Sequence, residues 1–314
     1  MTRVFFASDL HGSERCFLKF VNAGKYYKAD SLIIGGDLTG KVLVPIAEKD
    51  GKYETEYMGS RLALSTKSEV DALMRQIEMA GGYAYCTNSD ELEILMREKS
   101  KVDSLFEQLM AARIERWVNI AEQRLKGTGI SCFLNPGNDD SQVVDEIIKR
   151  SDYVVMPEGE VVMLDGRHEM ISTGYANMTP WNCPRDLAEE ELQRKVEGMV
   201  SKVKNIRKCV FSFHCPPHDT PIDLAPRLDA NLRPVVAPGG GYEMIHAGSV
   251  AVRKAIEKHQ PLLGLHGHIH ESRGFVKIGN TLCINPGSEY SEGVLRGAII
   301  DLDDGVKSYL LTEG

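Results

Sequence analysis

A chain of 314 residues with 42% hydrophobic and 26% charged side chains has the make-up of a soluble globular protein. Its net charge of −8 excludes a general nucleic-acid binder, whose footprint would be basic. No apolar run approaches the roughly 20 residues of a membrane-spanning helix, so no membrane partner is expected.

The N-terminus, MTRVFFASDLHG, reaches Asp9 before any long apolar stretch, and so reads as a first strand rather than a secretion signal. Cysteines 16, 86, 132, 183, 209, 215 and 283 are scattered, with no C-x-x-C pair. That pattern fits a reducing compartment and argues against a disulfide framework. A cytoplasmic location is expected.

In chain order, five short β-rich runs each end in a polar turn: RVFFAS before Asp9, SLIIGG before Asp37, ISCFLNPG before Asn138, CVFSF before His214 and LLGL before His266. Helical patterns intervene at Ser13–Ala23, Ser141–Arg150, Asp186–Lys204 and Gly248–His259. Alternating strands and helices predict an α/β fold, whose ligands collect at the carboxyl ends of the strands. GFVKIGNTLCINPGS and RGAIIDLDDGVKSYLLTEG read as antiparallel hairpins turning at G-N and D-G, extending a sheet.

Between Lys41 and Gly129 the alternation stops. This insertion reads as a hairpin turning at Asp50–Gly51, followed by helices at Ser68–Ala80 and Ser100–Lys126. In the second helix Val102, Leu105, Phe106, Leu109, Trp117, Ile120 and Leu125 recur at helical spacing, forming an apolar face. That face is expected to pack on the same chain, and the surface of a homo-oligomer is the alternative.

The polar turns share a chemistry. Asp9 and His11 lie two apart, on one side of an extended segment. Gly36-Asp37, Gly137-Asn138-Asp139-Asp140, His214 and Gly267-His268-Ile269-His270 follow, each at a strand end. Singly these are weak signals. In this order the pattern resembles the calcineurin-like metallophosphoesterase superfamily, with its D-x-H, G-D, G-N-H-[DE], H and G-H-x-H motifs, and within it a small prokaryotic phosphodiesterase-like branch.

The resemblance runs over residues 9–270, apart from the insertion. It implies two stacked mixed sheets flanked by helices, in one domain over 1–314. It also implies a two-metal site at the strand ends. Carried over by motif, one ion takes Asp9, His11, Asp37 and His270. The other takes Asp37, Asn138, His214 and His268, with Asp37 bridging. A mixture of carboxylate, imidazole and amide donors suits Mn, Fe, Zn or Mg, with Mn favoured. His266 lies outside the motif and is expected to hydrogen-bond rather than ligate.

One departure stands out. Asp139 occupies the position of the family's catalytic histidine, and no carboxylate follows Asp37 closely to orient one. Loss of a general acid costs about 10²–10⁴-fold unless something replaces it. Three replacements are open: Asp139 itself with a raised pKa, His218 in HCPPHDT, or a substrate with a good leaving group. Asn138, Arg185 and Arg233 are candidate substrate contacts, with Arg227 and Arg273 as further phosphate clamps. Trp181 is expected to plug a gap beneath its loop, with stacking on a base as the alternative. The Pro- and Gly-rich stretch 216–241 is expected to be a long loop near the metals.

The expected activity is hydrolysis of a small phosphorylated substrate, a phosphodiester or nucleotide, by a metal-bridging hydroxide. Phosphomonoesterase or pyrophosphohydrolase activity is the nearest alternative. A non-catalytic scaffold docking a protein partner is the alternative of another kind, and the complete ligand set argues against it.

Overall fold

Every second residue of the strand Thr2–Ala7 belongs to a different core, and this alternation organises the molecule. Val4 and Phe6 face inward between two sheets, while Phe5 and Ala7 face a layer of helices. The computed structural model describes residues 1–314.

The first six-stranded sheet runs Val306–Glu313, Arg296–Leu302, Thr2–Ala7, Ser31–Ile34, Ser131–Leu134 and Val154–Val155. The last four of these are parallel, and the C-terminal hairpin adds antiparallel at the edge. The second runs Gly274–Ile278, Thr281–Asn285, Leu263–Leu265, Cys209–Phe213, Glu169–Thr173 and Val161–Met163. Its four central strands are parallel and both edges antiparallel. Val4, Phe6, Ile33 and Phe133 of one sheet meet Met170, Val210, Leu263 and Ile284 of the other. The sandwich of two mixed sheets flanked by helices is therefore as expected, and each C-terminal hairpin extends a different sheet.

Helices cover both outer faces. Glu14–Tyr26 and Lys99–Leu125 pack on the first sheet, with Phe17 stacked on Trp117 at 4.3 Å between ring centroids. Glu189–Val200 and Val250–His259 pack on the second. The strand Glu169–Thr173 was not legible as one, because only Met170 and Ile171 are apolar in a fully buried run.

The insertion contains more than a hairpin and helices. The turn at Asp50–Gly51 joins Leu43–Lys49 to Lys52–Tyr57, but Ser60–Leu64 and Tyr83–Asn88 complete a four-stranded sheet. This sheet buries Val44, Ile46 and Ala84 against Val70, Leu73 and Ile77 of the helix Lys67–Met79. A short helix, Ser89–Arg97, precedes the long one. Trp117 and Leu125 of the long helix lie in the main core, so the C-terminal part of its apolar face is covered by the same chain.

The stretch 216–241 is not an irregular loop throughout. It forms part of a small meander in which Leu224–Pro226 pairs with Met244–His246, and bridges join Leu228 to Pro234 and Val236 to Tyr242. No helix is long and apolar enough to cross a membrane.

Trp117 is fully buried, and its indole N–H donates to Glu14 Oε2 at 2.8 Å. Trp117→Ala removes the stacking and leaves a cavity, so unfolding free energy should fall by about 3–5 kcal/mol in urea denaturation.

Candidate metal centre

The parallel strands end where the chain turns sharply. Asp9, His11, Asp37 and His268 have positive φ values of 58°, 41°, 52° and 67°. For residues with a Cβ this conformation costs about 1–2 kcal/mol each. Such strain concentrates at functional sites, held by the surrounding structure. Here the restraint is a set of loop-to-loop hydrogen bonds. Asp9 N–H donates to Gly36 O and His11 N–H to Asp37 O, both at 2.9 Å. His268 N–H donates to Asp9 Oδ2 at 3.0 Å.

The motif glycines permit this closeness. A Cβ on Gly36 would lie 2.1 Å from His214 Nδ1, and one on Gly137 would lie 2.0 Å from Asp37 Oδ1.

Asp9, His11 and His270 form one group of converging donors, and Asp37, His214 and His268 a second. His11 Nε2 faces His270 Nε2 at 3.0 Å, and His270 Nε2 lies 3.4 Å from Asp9 Oδ1. Donors about 2.1 Å from one cation, at tetrahedral or octahedral angles, stand about 3.0–3.4 Å apart. Asp37 faces both groups: Oδ2 is 3.5 Å from His11 Nε2 and Oδ1 is 3.4 Å from His214 Nε2.

Unpaired atoms test the fit. Asn138 Oδ1 and both ring nitrogens of His214 are buried without a hydrogen-bond partner. Buried polar atoms are normally satisfied, so these point to an electrophile. Asn138 Nδ2 donates to Asp186 Oδ1 at 3.0 Å, which turns Oδ1 toward the cluster. Asp186 in turn accepts from Thr179 and Cys183. The donor set fits divalent cations.

The electrostatics agree. Burial would raise Asp9, but His214, His270 and His11 hold it well below the carboxylate range. Burial lifts Asp37 to about 6; His214 opposes the rise, and Asp139 and Asp9 add to it. Burial would lower His214, yet Asp37 and Asp9 raise it to about 9. Burial, with the charge of His214, lowers His268 to about 3. The cluster attracts positive charge and keeps His268 neutral, the state in which imidazole ligates.

Asp140 locks the loops together. Its carboxylate accepts from the N–H groups of Leu38, Thr39 and Gly137 at 2.9, 2.8 and 2.7 Å. Asp139 lies at the edge of the cluster, its carboxylate grouped with His11 and Asp37; it forms an ion pair with Lys41 and accepts from Cys183 Sγ at 2.8 Å. Burial would raise its pKa, but Lys41 and the thiol outweigh burial and hold it at about 2. The shift runs opposite to the raised pKa expected of an acid at Asp139.

Several other expectations change. His218 sits beside Asp223 and His246, outside the cleft above the cluster. Arg185 is buried, and its guanidinium is consumed by Asp145 and by the carbonyls of Asp140 and Ser141, so it braces the Asn138 loop and does not reach substrate. Arg233 is exposed and does not line the cleft. Arg227 lines it but pairs with Glu243 at 2.7 Å, and Arg273 pairs with Glu313 at 3.0 Å. Trp181 plugs nothing: it is 60% exposed at the cleft wall. His266 Nδ1 bonds the carbonyls of Phe213 and Cys215 at 2.8 and 3.2 Å, a hydrogen-bonding place behind the ligands.

Lys41, Cys183 and Asp186 were missed. Lys41 had a signal, four residues past Asp37, but it stood at the insertion boundary. The other two are joined to the site only by tertiary contacts.

No family model matches the chain. It is 32% identical over 154 residues, 48% of this chain and 61% of the other, to the uncharacterized protein MJ1162 of Methanocaldococcus jannaschii. It therefore spans less than two thirds of that relative. It is 23% identical over 201 residues, 60% of this chain and 77% of the other, to UDP-2,3-diacylglucosamine hydrolase of Escherichia coli O7:K1. The crystal structure of TT1561 of Thermus thermophilus matches with a TM-score of 0.55 at 13% identity, covering 100% of this chain and 98% of that one. The likeness to that structure shows the fold, and the converging donors at the strand ends could hold divalent cations.

Removing ligand side chains should weaken metal binding. Asp37→Asn and His268→Ala should each lower bound Mn²⁺ after dialysis, with affinity reduced more than about tenfold by isothermal titration. Asp186→Ala, which frees the Asn138 amide to rotate, should cost about 10–100-fold in affinity without removing a ligand.

Proposed function

We propose that this protein hydrolyses a phosphodiester at a dinuclear centre, with Asp37 shared between the two ions. The observation that carries this reading is the division of the Asp37 carboxylate, one oxygen toward His11 and one toward His214. One ion would be held by Asp9, His11, Asp37 and His270, and the other by Asp37, Asn138, His214 and His268. Bound divalent cations supply a hydroxide nucleophile near neutral pH and neutralise charge on phosphoryl oxygens.

The chain's own residues do the rest. Asp140 and Asp186 hold the Asn138 loop and its amide in one orientation. Tyr290 packs over His11, at 4.7 Å between centroids, and shields that side from water. Lys41 takes over the electrostatic task of the absent histidine. Its ammonium lines the cleft beside Asp139, within the fields of Asp37 and Tyr290, where it can hydrogen-bond an oxygen of the reacting phosphoester. Asp139 positions that ammonium. A fixed cation stabilises developing oxyanion charge without having to surrender a proton.

Purified protein should turn over bis(p-nitrophenyl) phosphate faster than p-nitrophenyl phosphate with added Mn²⁺. EDTA should abolish turnover and Mn²⁺ should restore it. Retention of full activity after metal removal, or two bound ions with no turnover of any phosphoester, would overturn the reading.

Lys41→Ala should lower kcat about 10²-fold on esters with poor leaving groups, and less on p-nitrophenyl esters. Lys41→Arg should recover most of the loss. Equal losses on both leaving groups would place Lys41 away from the departing oxygen.

A further inference from the structure

The cleft above the metal centre, about 710 Å³, has two unlike parts. Its floor is ionic, made by Asp37, Lys41, Asn138, Asp139, His268 and His270. Its walls are apolar. One is the segment 178–183, where Met178 and Trp181 are 55% and 60% exposed. The other is the meander 224–247, where Leu232 and Ile245 are 45% and 41% exposed. Single apolar side chains on a surface need no explanation, but a contiguous set around a cleft marks a ligand surface.

The polar side chains of these walls are already engaged. Arg227 is paired with Glu243, Thr179 Oγ1 donates to Asp186 at 2.5 Å, and the Cys183 thiol is bound to Asp139. Glu271, also on the lining, is anionic and disfavours a second phosphate. A nucleobase calls for edge partners and stacking surfaces, whereas Trp181 is the one aromatic side chain among mostly aliphatic neighbours. An aliphatic chain needs none of these partners and gains from covering Leu, Ile, Met and Pro.

We propose that the cleft selects phosphoesters bearing an aliphatic hydrocarbon group, which lies between Trp181 and the Leu232–Ile245 wall. The position of the phosphoryl group on the floor rests on the phosphoesterase reading above.

The test separates the two. Mn²⁺-loaded full-length protein is titrated with methyl-, butyl- and octylphosphonate below their micellar range, followed by tryptophan fluorescence. Trp117 is buried, so the signal should report on Trp181 and disappear in Trp181→Phe. Affinity should rise at least about tenfold from methyl to octyl. Leu232→Ser and Ile245→Ser, both at partly exposed positions, should pull the octyl value toward the methyl one. Equal affinity for methyl and octyl would overturn the proposal.

Methyl, octyl and thymidine p-nitrophenyl phosphodiesters are then compared as substrates. A higher kcat/KM for the octyl ester supports the hydrocarbon. A preference for the thymidine ester overturns it in favour of a base. Turnover without chain-length dependence defeats the apolar shelf and leaves the phosphoesterase standing. A chain-length ladder in phosphonate binding without turnover of any ester does the reverse.

Discussion

Asp9 and Asp37 bring two buried carboxylates together beneath the cleft, with Asp139 at their border. Buried like charges repel strongly unless positive charge or protons are supplied. The chain answers partly with Lys41 and partly by raising His214, and the remaining donors face one another across gaps suited to cations. The rest of the architecture follows from holding these groups together. The parallel strands of two sheets aim their carboxyl ends at one place, and four of the proposed ligands accept left-handed backbone to complete the approach. The glycines before Asp37 and Asn138 are small because the neighbouring loop occupies the volume a side chain would need.

The Asp139–Lys41 pair changes how such a site handles charge. An imidazole can deliver a proton to a leaving oxygen and be reprotonated from solvent near neutral pH. An ammonium paired with a carboxylate keeps its charge throughout, so its contribution is a fixed field. Burial would lower the Lys41 pKa, but Asp37 and Asp139 raise it well above its usual value. Cys183 adds a third partner to the pair. Burial and the neighbouring carboxylate push its thiol up to about 12, which keeps it a hydrogen-bond donor and not a thiolate. On the proposed reading, the replacement exchanges proton transfer for electrostatic preorganisation.

The motif residues were legible in the sequence because ligation needs particular side chains at particular strand ends. Apolar runs locate those ends even where boundaries blur. The sandwich was legible only through the resemblance, since alternation of strands and helices also describes open sheets. What could not be read were the residues that act through another element. Asp186 and Cys183 look like ordinary loop residues until the segment 176–187 folds over Asn138. Arg185 illustrates the converse. A guanidinium near an anion-binding motif suggests a phosphate clamp, but Asp145, in the first turn of the helix Val143–Ile148, offers a bidentate partner and burial completes the capture. The insertion departs from expectation for a similar reason. Ser60–Leu64 and Tyr83–Asn88 are short, half-exposed strands whose character depends on pairing with neighbours.

The position of the insertion bears on how substrate reaches the floor. Gly12 O accepts from Arg113, Ser13 Oγ donates to Met79 O at 2.9 Å, and Gly40 N–H donates to Tyr83 Oη at 3.0 Å. These contacts brace the His11 loop from behind. Apart from Lys41, the insertion contributes nothing to the cleft lining. The walls are built by the segment 178–183 and the meander, which are joined to the metal ligands by Asp186, Thr179 and Ser272. A segment that braces a ligand loop affects how firmly the metal-binding donors are held, whereas a segment that forms a wall affects which substrate fits. The insertion has only the bracing task, whereas the segment 176–187 serves both, since it forms a wall and its Asp186 holds the Asn138 amide.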